Sequence, residues 1–381
     1  MSSTLYLHIG TPKTGSTSIQ NFLFDNRDLL ASKGLLYPDM GFDYKGVVHA
    51  VNAHFLMNMK PGNSKPAEGY TKSYIEGFEK LYEMAKTHDK ILLSDEKLWY
   101  WYRGDGPFAS FWQELKDKLS AHDIDCRIIV YLRRQDSFML SLWSQRVKAG
   151  LRKCSFEEFL KENYPNDYYD YLNMLSGIFG KDHIIVRSFE RSRFKEGDLL
   201  EDFLDIFGID IKDGFTVGNP EQNQKLEGSY LELRRMIGHL PEYAKHNSYP
   251  GLVFQRVQAE NYFKEDFKKY HFIDSDKMAA FLSKFSESNR MVAKEYLGRE
   301  DGKLFDDETV PEYKKTEIET RDLLNTVIAV YARLIHRVVS SDNQLKNEVK
   351  ALRKEVNALK KEIEQLKSEN KPPKKKKLFG H

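Results

Sequence analysis

Between Leu5 and Leu23 an apolar run, Leu5-Tyr6-Leu7-His8-Ile9, passes through Gly10-Thr11-Pro12-Lys13-Thr14-Gly15-Ser16-Thr17 into a helix-like stretch. No other segment constrains the chain as tightly. A buried strand feeding a helix through a glycine-bounded loop is the repeating unit of a parallel sheet, since parallel neighbours need a crossover between them. The loop also carries chemistry. Its backbone amides and the helix N-terminus form a ready anion site. Gly15 allows close approach to the backbone, and Ser16, Thr17 and Ser18 add hydroxyl donors. The plain alternative is a strand–turn–helix with polar residues and no ligand.

The pattern recurs. Ile91–Leu93, Arg127–Leu132 and Ile184–Val186 are short β-branched or Leu-rich runs bounded by charged or turn residues, and read as buried strands. Helix-like stretches follow, including Ser16–Leu30 and Ser137–Val147, and residues 150–310 are mostly helical in pattern, with Leu199, Leu200, Phe203, Leu204 and Phe207 on one face before Gly208. Strands alternating with helices predict an α/β fold with a P-loop-like parallel sheet covered on both faces, spanning residues 1–310.

The C-terminal end has a different period. Leu345, Val349, Leu352, Val356, Leu359, Ile363 and Leu366 form a heptad seam with β-branched residues at a and leucines at d, the combination that favours a parallel dimer. Glu348, Glu355 and Glu362 fall at g, and Arg353, Lys360 and Lys367 at e five residues later, where a partner helix would meet them. The seam traces back through Val338, Ile335, Tyr331 and Ile328, where the apolar face widens and suits packing on the body; Asp342 at an a position marks the change. The chain thus divides into the α/β domain (1–310), a connecting helix (316–340), a coiled coil (341–370) and a basic disordered tail (371–381). A homodimer through 345–366 is expected. The tail, Lys371 to Lys377, suits either solubility or weak contact with anionic lipid or glycan.

Net charge is only +2 although 30% of the 381 residues are charged, so the body is no general polyanion binder and nucleic acid is not expected as a partner. The two cysteines, Cys126 and Cys154, form no CxxC or Cys/His cluster, which argues against a disulfide framework or a zinc site. The N-terminal residues lack a basic region followed by an apolar one, and no apolar run approaches the roughly 18–20 residues of a spanning helix. A cytoplasmic protein is the expectation.

Gly10 and Gly15 have the separation of the Walker pattern GxxxxGK[ST], but Ser16 stands where the lysine belongs, and the loop's lysine is Lys13. A kinase or NTPase holds a triphosphate with the later lysine and a magnesium-bound hydroxyl. Here the cation sits inside the loop, better placed for a bridging oxygen or a leaving phosphate.

Pro12-Lys13-Thr14-Gly15-Ser16-Thr17 resembles the 5′-phosphosulfate loop of sulfotransferases that use 3′-phosphoadenosine 5′-phosphosulfate, with Ser16 in place of the commoner Thr. Tyr131-Leu132-Arg133-Arg134-Gln135-Asp136, running on to Ser141, resembles the same family's 3′-phosphate site; Arg134 is adjacent to the matching arginine, and Gln135 replaces a frequent proline. Val186-Arg187-Ser188-Phe189-Glu190, Gly197-Asp198-Leu199 to Asp202-Phe203-Leu204, and Phe285 through Asn289 to Tyr296-Leu297-Gly298 are similar to segments of bacterial-type members, so the resemblance covers about residues 1–310. It implies a donor site made of Pro12, Lys13, Thr14, Gly15, Ser16, Thr17 and Ser18 for the phosphosulfate, with Arg133 and Ser141 for the 3′-phosphate. It also implies a carbohydrate or glycoconjugate acceptor.

Sulfuryl transfer needs cations and amides at the donor and a general base at the acceptor, and calls for no metal. Lys13 is the candidate for leaving-group stabilisation. Glu96, at the end of the run Ile91–Leu93 through Ser94 and Asp95, is one candidate base; His49 in Gly46-Val-Val-His-Ala is the other, with His54 five residues on as a packed or surface histidine. Trp99-Tyr100-Trp101-Tyr102, Phe108, Phe111 and Trp112 are either substrate-facing or core. Two other readings stay open: a P-loop kinase or NTPase, which predicts a lysine after Gly15 and a magnesium-holding acid such as Asp95, and a non-catalytic assembly protein built around the coiled coil.

Overall fold

In the computed structural model, four strands make one parallel sheet: β1 (Ser3–Gly10), β2 (Lys90–Ser94), β3 (Ile124–Leu132) and β4 (Ile184–Ser188), in the order β2-β1-β3-β4. The structure describes residues 3–44, 46–59, 68–101, 108–162, 164, 166–218, 228–239, 270–317 and 346–357, with single positions 324, 327, 328, 331 and 360.

A strand's side chains alternate between faces, and both faces of this sheet are apolar. On one face Leu5, Leu7, Ile9, Leu93, Ile128 and Val130 join a core supplied by three helices, α3 (Glu68–Ala85), α4 (Phe108–Ser120) and α7 (Tyr168–Phe179). On the other face Tyr6, Leu92, Ile129 and Tyr131 meet α1 (Ser16–Asp25), α2 (Arg27–Ser32) and α8 (Leu199–Asp205). A third apolar cluster lies off the sheet among α5 (Gln135–Lys148), α6 (Phe156–Phe159), α9 (Gly228–Ile237) and α10 (Ser275–Leu282). Helix α11 (Ser286–Leu297) returns Val292 and Ala293 to the first core and ends at Gly298 in the left-handed conformation.

The single helix expected over Ser16–Leu30 is broken at Asn26. Its Nδ2 donates to the carbonyls of Phe22 (2.8 Å) and Thr216 (2.9 Å), and its Oδ1 accepts from the Thr216 amide (2.8 Å). The side chain thus caps one helix and clamps a segment 190 residues away. From the aromatic run, Trp99, Phe111 and Trp112 are fully buried in the first core, while Tyr102 lies outside the described residues.

At the C-terminal end, residues 346–357 are helical, and Val349, Leu352 and Val356 are 45%, 59% and 49% exposed. Val327 packs against the third cluster, whereas Leu324, Ile328 and Tyr331 are exposed. Leu345, Leu359, Ile363, Leu366 and the tail from Lys371 to Lys377 lie outside the described residues. Among the described residues no helix is long and apolar enough to cross a membrane.

Candidate functional site

The loop between β1 and α1 is pinned to the neighbouring strand. Thr11 donates from both its amide (2.9 Å) and its hydroxyl (3.0 Å) to the carbonyl of Tyr131 in β3. Thr14 donates its hydroxyl back to the carbonyl of Thr11 at 2.5 Å. These two threonines therefore hold the loop's shape from within. Gly10, Lys13 and Gly15 take φ values of +93°, +71° and +74°; glycine adopts this region freely, and lysine does so at a cost. A methyl group on Gly15 would stand 2.4 Å from Cδ2 of Leu199.

Helix α1 begins at Ser16, directly after the loop. Its first turn has no side-chain cap, and the first intrahelical bond runs from the Ile19 amide to the carbonyl of Gly15. The amides of Ser16, Thr17 and Ser18 have no acceptor within the helix. The Ser16 hydroxyl, on a residue 3% exposed, has no hydrogen-bond partner among the described residues. A buried unpaired hydroxyl costs about 1–3 kcal/mol, and a ligand oxygen would satisfy it. Pro12 is buried, Thr17 half-buried and Ser18 exposed.

Arg133, just beyond the end of β3, reaches this loop. Its Nη1 donates to the carbonyl of Lys13 (2.7 Å), its Nε donates to the Ser137 hydroxyl (2.8 Å), and the guanidinium lies 5.6 Å from the Phe189 ring centroid. Burial lowers its pKa below the usual arginine value. Arg134 points elsewhere, paired with Asp136 through Nε and Nη2 and donating to the carbonyl of Asp307. The two adjacent arginines thus have separate jobs, with Arg133 on the loop side. Ser141, two turns along α5, is half-buried.

Glu96 stands beside the same loop. It follows β2 and opens a 3₁₀ turn (Glu96–Trp101), and a methyl group on Gly10 would lie 3.1 Å from its Cβ. Asp95 before it donates its amide to the carbonyl of His8 (3.1 Å), which sets the strand end against β1. Gln20 of α1 donates from Nε2 to Oε2 of Glu96 (2.9 Å) and to the Ser94 hydroxyl (3.1 Å). The Ser94 oxygen in turn lies 2.9 Å from Nδ1 of His8. Burial pushes the His8 pKa down to about 3, so its imidazole is neutral. Burial, with Asp95 and Glu96 nearby, holds the Tyr37 hydroxyl well above its ordinary pKa.

The two histidines singled out around residue 50 occupy different settings. His49 has a side chain 60% exposed, with Nε2 3.4 Å from Asp39 and its ring edge-on to Phe24. His54 is buried, its Nδ1 2.7 Å from Oδ2 of Asp95, with Tyr44 edge-on at 4.7 Å. The structure brings Gly10–Ser18, Arg133 and Glu96 together and leaves His49 on the surface. Sequence reasoning missed Gln20, His8 and the His54–Asp95 pair. Asp95-Glu96 directly after β2 was the signal for Asp95; nothing in the sequence announced Gln20. Among the described residues no group of three or more His, Cys, Asp or Glu side chains could hold a metal ion.

No family model matches the chain. An uncharacterised protein from Archaeoglobus fulgidus is 29% identical over 211 residues, which is 53% of this chain and 54% of that protein. The chain therefore spans about half the length of this relative. Among solved structures, the crystal structure of a sulfotransferase from Alicyclobacillus acidocaldarius superposes with a TM-score of 0.36 at 14% identity, over 68% of this chain and 96% of that one.

Proposed function

We propose that this chain is a sulfotransferase, moving a sulfuryl group from 3′-phosphoadenosine 5′-phosphosulfate to a hydroxyl or amine of a carbohydrate or glycoconjugate. One observation carries the reading. Arg133 donates to the carbonyl of Lys13, so the arginine suited to a 3′-phosphate and the loop suited to a 5′-phosphosulfate meet at the ends of adjacent parallel strands. Ligands of open parallel sheets bind outside these strand ends. Fit with the donor is supported by the uncapped start of α1 and the buried Ser16 hydroxyl, which has no partner among the described residues.

In this reading the acceptor oxygen bonds to sulfur as the bond from sulfur to the donor's bridging oxygen breaks. The acceptor's proton passes to Glu96, and Lys13 with the loop amides meets the charge left on the 5′-phosphate. His49, exposed on Asp39, is less suited to receive that proton than Glu96 beside Gly10. The test is calorimetry with 3′-phosphoadenosine 5′-phosphate: binding without magnesium is expected, whereas no binding, or binding of ATP only with magnesium, sinks the reading and favours an NTPase. Transfer from labelled donor to a glycan panel then identifies the acceptor. Lys13→Ala should lower transfer far more than it alters the melting temperature.

We also propose that the C-terminal helix pairs in parallel with a second copy. Val349, Leu352 and Val356 form an apolar stripe, 45%, 59% and 49% exposed among the described residues. The glutamates at g and the Arg/Lys residues at e complement a second copy of the same helix.

A further inference from the structure

Resting on the reading of Glu96 as base, we propose that Gln20 is the positioning residue of the reaction: it holds Glu96 in place from within the first helix. Gln20 lies on α1, the helix that the donor loop feeds, and is 1% exposed. Its amide nitrogen has two protons and two acceptors, Oε2 of Glu96 at 2.9 Å and Oγ of Ser94 at 3.1 Å. Both donors are therefore used, and the amide cannot turn without losing both bonds. Ser94 is fully buried and is itself fixed, since its amide donates to Oδ1 of Asn52 (2.8 Å) and its oxygen lies 2.9 Å from the neutral His8.

The chain of contacts His8–Ser94–Gln20–Glu96 links β1, β2 and α1, the three elements that meet at the donor loop. It has a geometric consequence. Oε2 of Glu96 is engaged by Gln20, which leaves Oε1 to take the acceptor's proton. A carboxylate on the open end of a 3₁₀ turn would otherwise sample several rotamers, and general-base transfer falls steeply when the base is misplaced by about 1 Å. Side-chain amides so deeply buried are commonly explained as core hydrogen bonds. Here one of the two bonds ends on the group that the chemistry needs. Asp95, paired with His54, adjoins Glu96 in the chain, and the hydroxyls of Tyr37 and Tyr100 both sense its charge.

The experiment is a double-substitution cycle between Gln20→Met, which keeps size and removes the donors, and Glu96→Gln. The probe is ³⁵S-labelled 3′-phosphoadenosine 5′-phosphosulfate with a panel of p-nitrophenyl glycosides, counting label on sugar and on sulfate released to water. Gln20→Met is expected to lower kcat by about 10- to 100-fold, with donor KM and the calorimetric affinity for 3′-phosphoadenosine 5′-phosphate within about two-fold. In the Glu96→Gln background it should lower kcat no further, because the residue acts through Glu96. Ser94→Ala, which leaves the Gln20–Glu96 bond in place, should give a smaller loss than Gln20→Met.

Equal falls in donor affinity and kcat, or fully multiplicative losses in the double variant, would overturn the positioning role while leaving Glu96 as base. Full activity in Glu96→Gln overturns the base assignment and this proposal together. A wild-type enzyme that passes label to neither acceptor overturns the transfer reading itself. If Gln20→Met fails to fold, Ser94→Ala and its combination with Glu96→Gln run the same cycle one contact further back.

Discussion

Arg133 and Lys13 are joined side chain to backbone: the guanidinium Nη1 donates to the Lys13 carbonyl at 2.7 Å, tying the end of β3 to the loop that leaves β1. The arginine thereby holds the loop and stands beside it. Arg133→Ala should weaken binding of 3′-phosphoadenosine 5′-phosphate by about 10- to 100-fold, the range for losing a charged hydrogen-bond donor. Arg133→Lys should recover only part, because an ammonium cannot reproduce the fork. Arg134→Ala, which removes the pairing with Asp136, should leave affinity within about three-fold. Calorimetry on the three variants checks this, and a larger loss from Arg134→Ala would reverse the assignment.

Gly15→Ala should disturb the loop in two separable ways. The φ of +74° costs an alanine about 1–2 kcal/mol, and its methyl group would collide with Leu199. Urea unfolding should show the variant destabilised by at least the strain, with donor affinity reduced alongside. Adding Leu199→Ala removes the collision but not the strain, so the double variant should regain affinity without recovering full stability.

His8 makes stability depend on pH. In the unfolded chain its imidazole takes up a proton near 6.5, whereas in the folded chain burial delays this to about 3. Between those values the unfolded state binds the extra proton, so stability is lost as pH falls. From pH 7 to pH 5 the loss from this group is about 2 kcal/mol, at roughly 1.4 kcal/mol per unit. His8→Asn, which cannot titrate, should be destabilised at pH 7 and lose about 2 kcal/mol less than wild type on going to pH 5. Parallel urea curves for the two proteins at both pH values are the check; an unchanged gap would mean the imidazole is protonated in the fold.

Leu352, exposed on the helical segment 346–357, should be central to pairing. Leu352→Glu should shift sedimentation from twice the chain mass of 44.6 kDa to a single chain. It should also make the far-ultraviolet helix signal smaller, because short isolated helices are marginal in water. A wild-type protein sedimenting as one chain at micromolar concentration would refute the seam.

The strands were legible because burial on both faces leaves near-continuous apolar runs: Leu5–Ile9 and Arg127–Leu132 lie wholly within β1 and β3. Local chemistry likewise exposed the loop, whose glycines and lysine stand together in the chain. What stayed hidden were contacts between distant residues. Asn26 caps its own helix through Phe22 but also clamps Thr216, 190 positions away, and Gln20 reads as an ordinary polar residue until β2 is placed beside α1. The histidines near residue 50 differ in the same way, since only the fold sets His54 against Asp95 and leaves His49 on Asp39. Trp99 and Trp112 were ambiguous in sequence because an aromatic run suits a core and a sugar-binding face equally; the structure buries both completely.

Lys13 occupies the left-handed region at φ +71° between two glycines that occupy it without strain. This makes the loop a place where robustness and catalysis compete. Glycine at position 13 would relax the backbone by about 1 kcal/mol, and a selection for thermal tolerance alone would favour it. That same change deletes the cation proposed to receive the leaving phosphate. A screen that enriches stable variants should therefore accumulate inactive ones at this position, and the lysine persists only where turnover is also demanded.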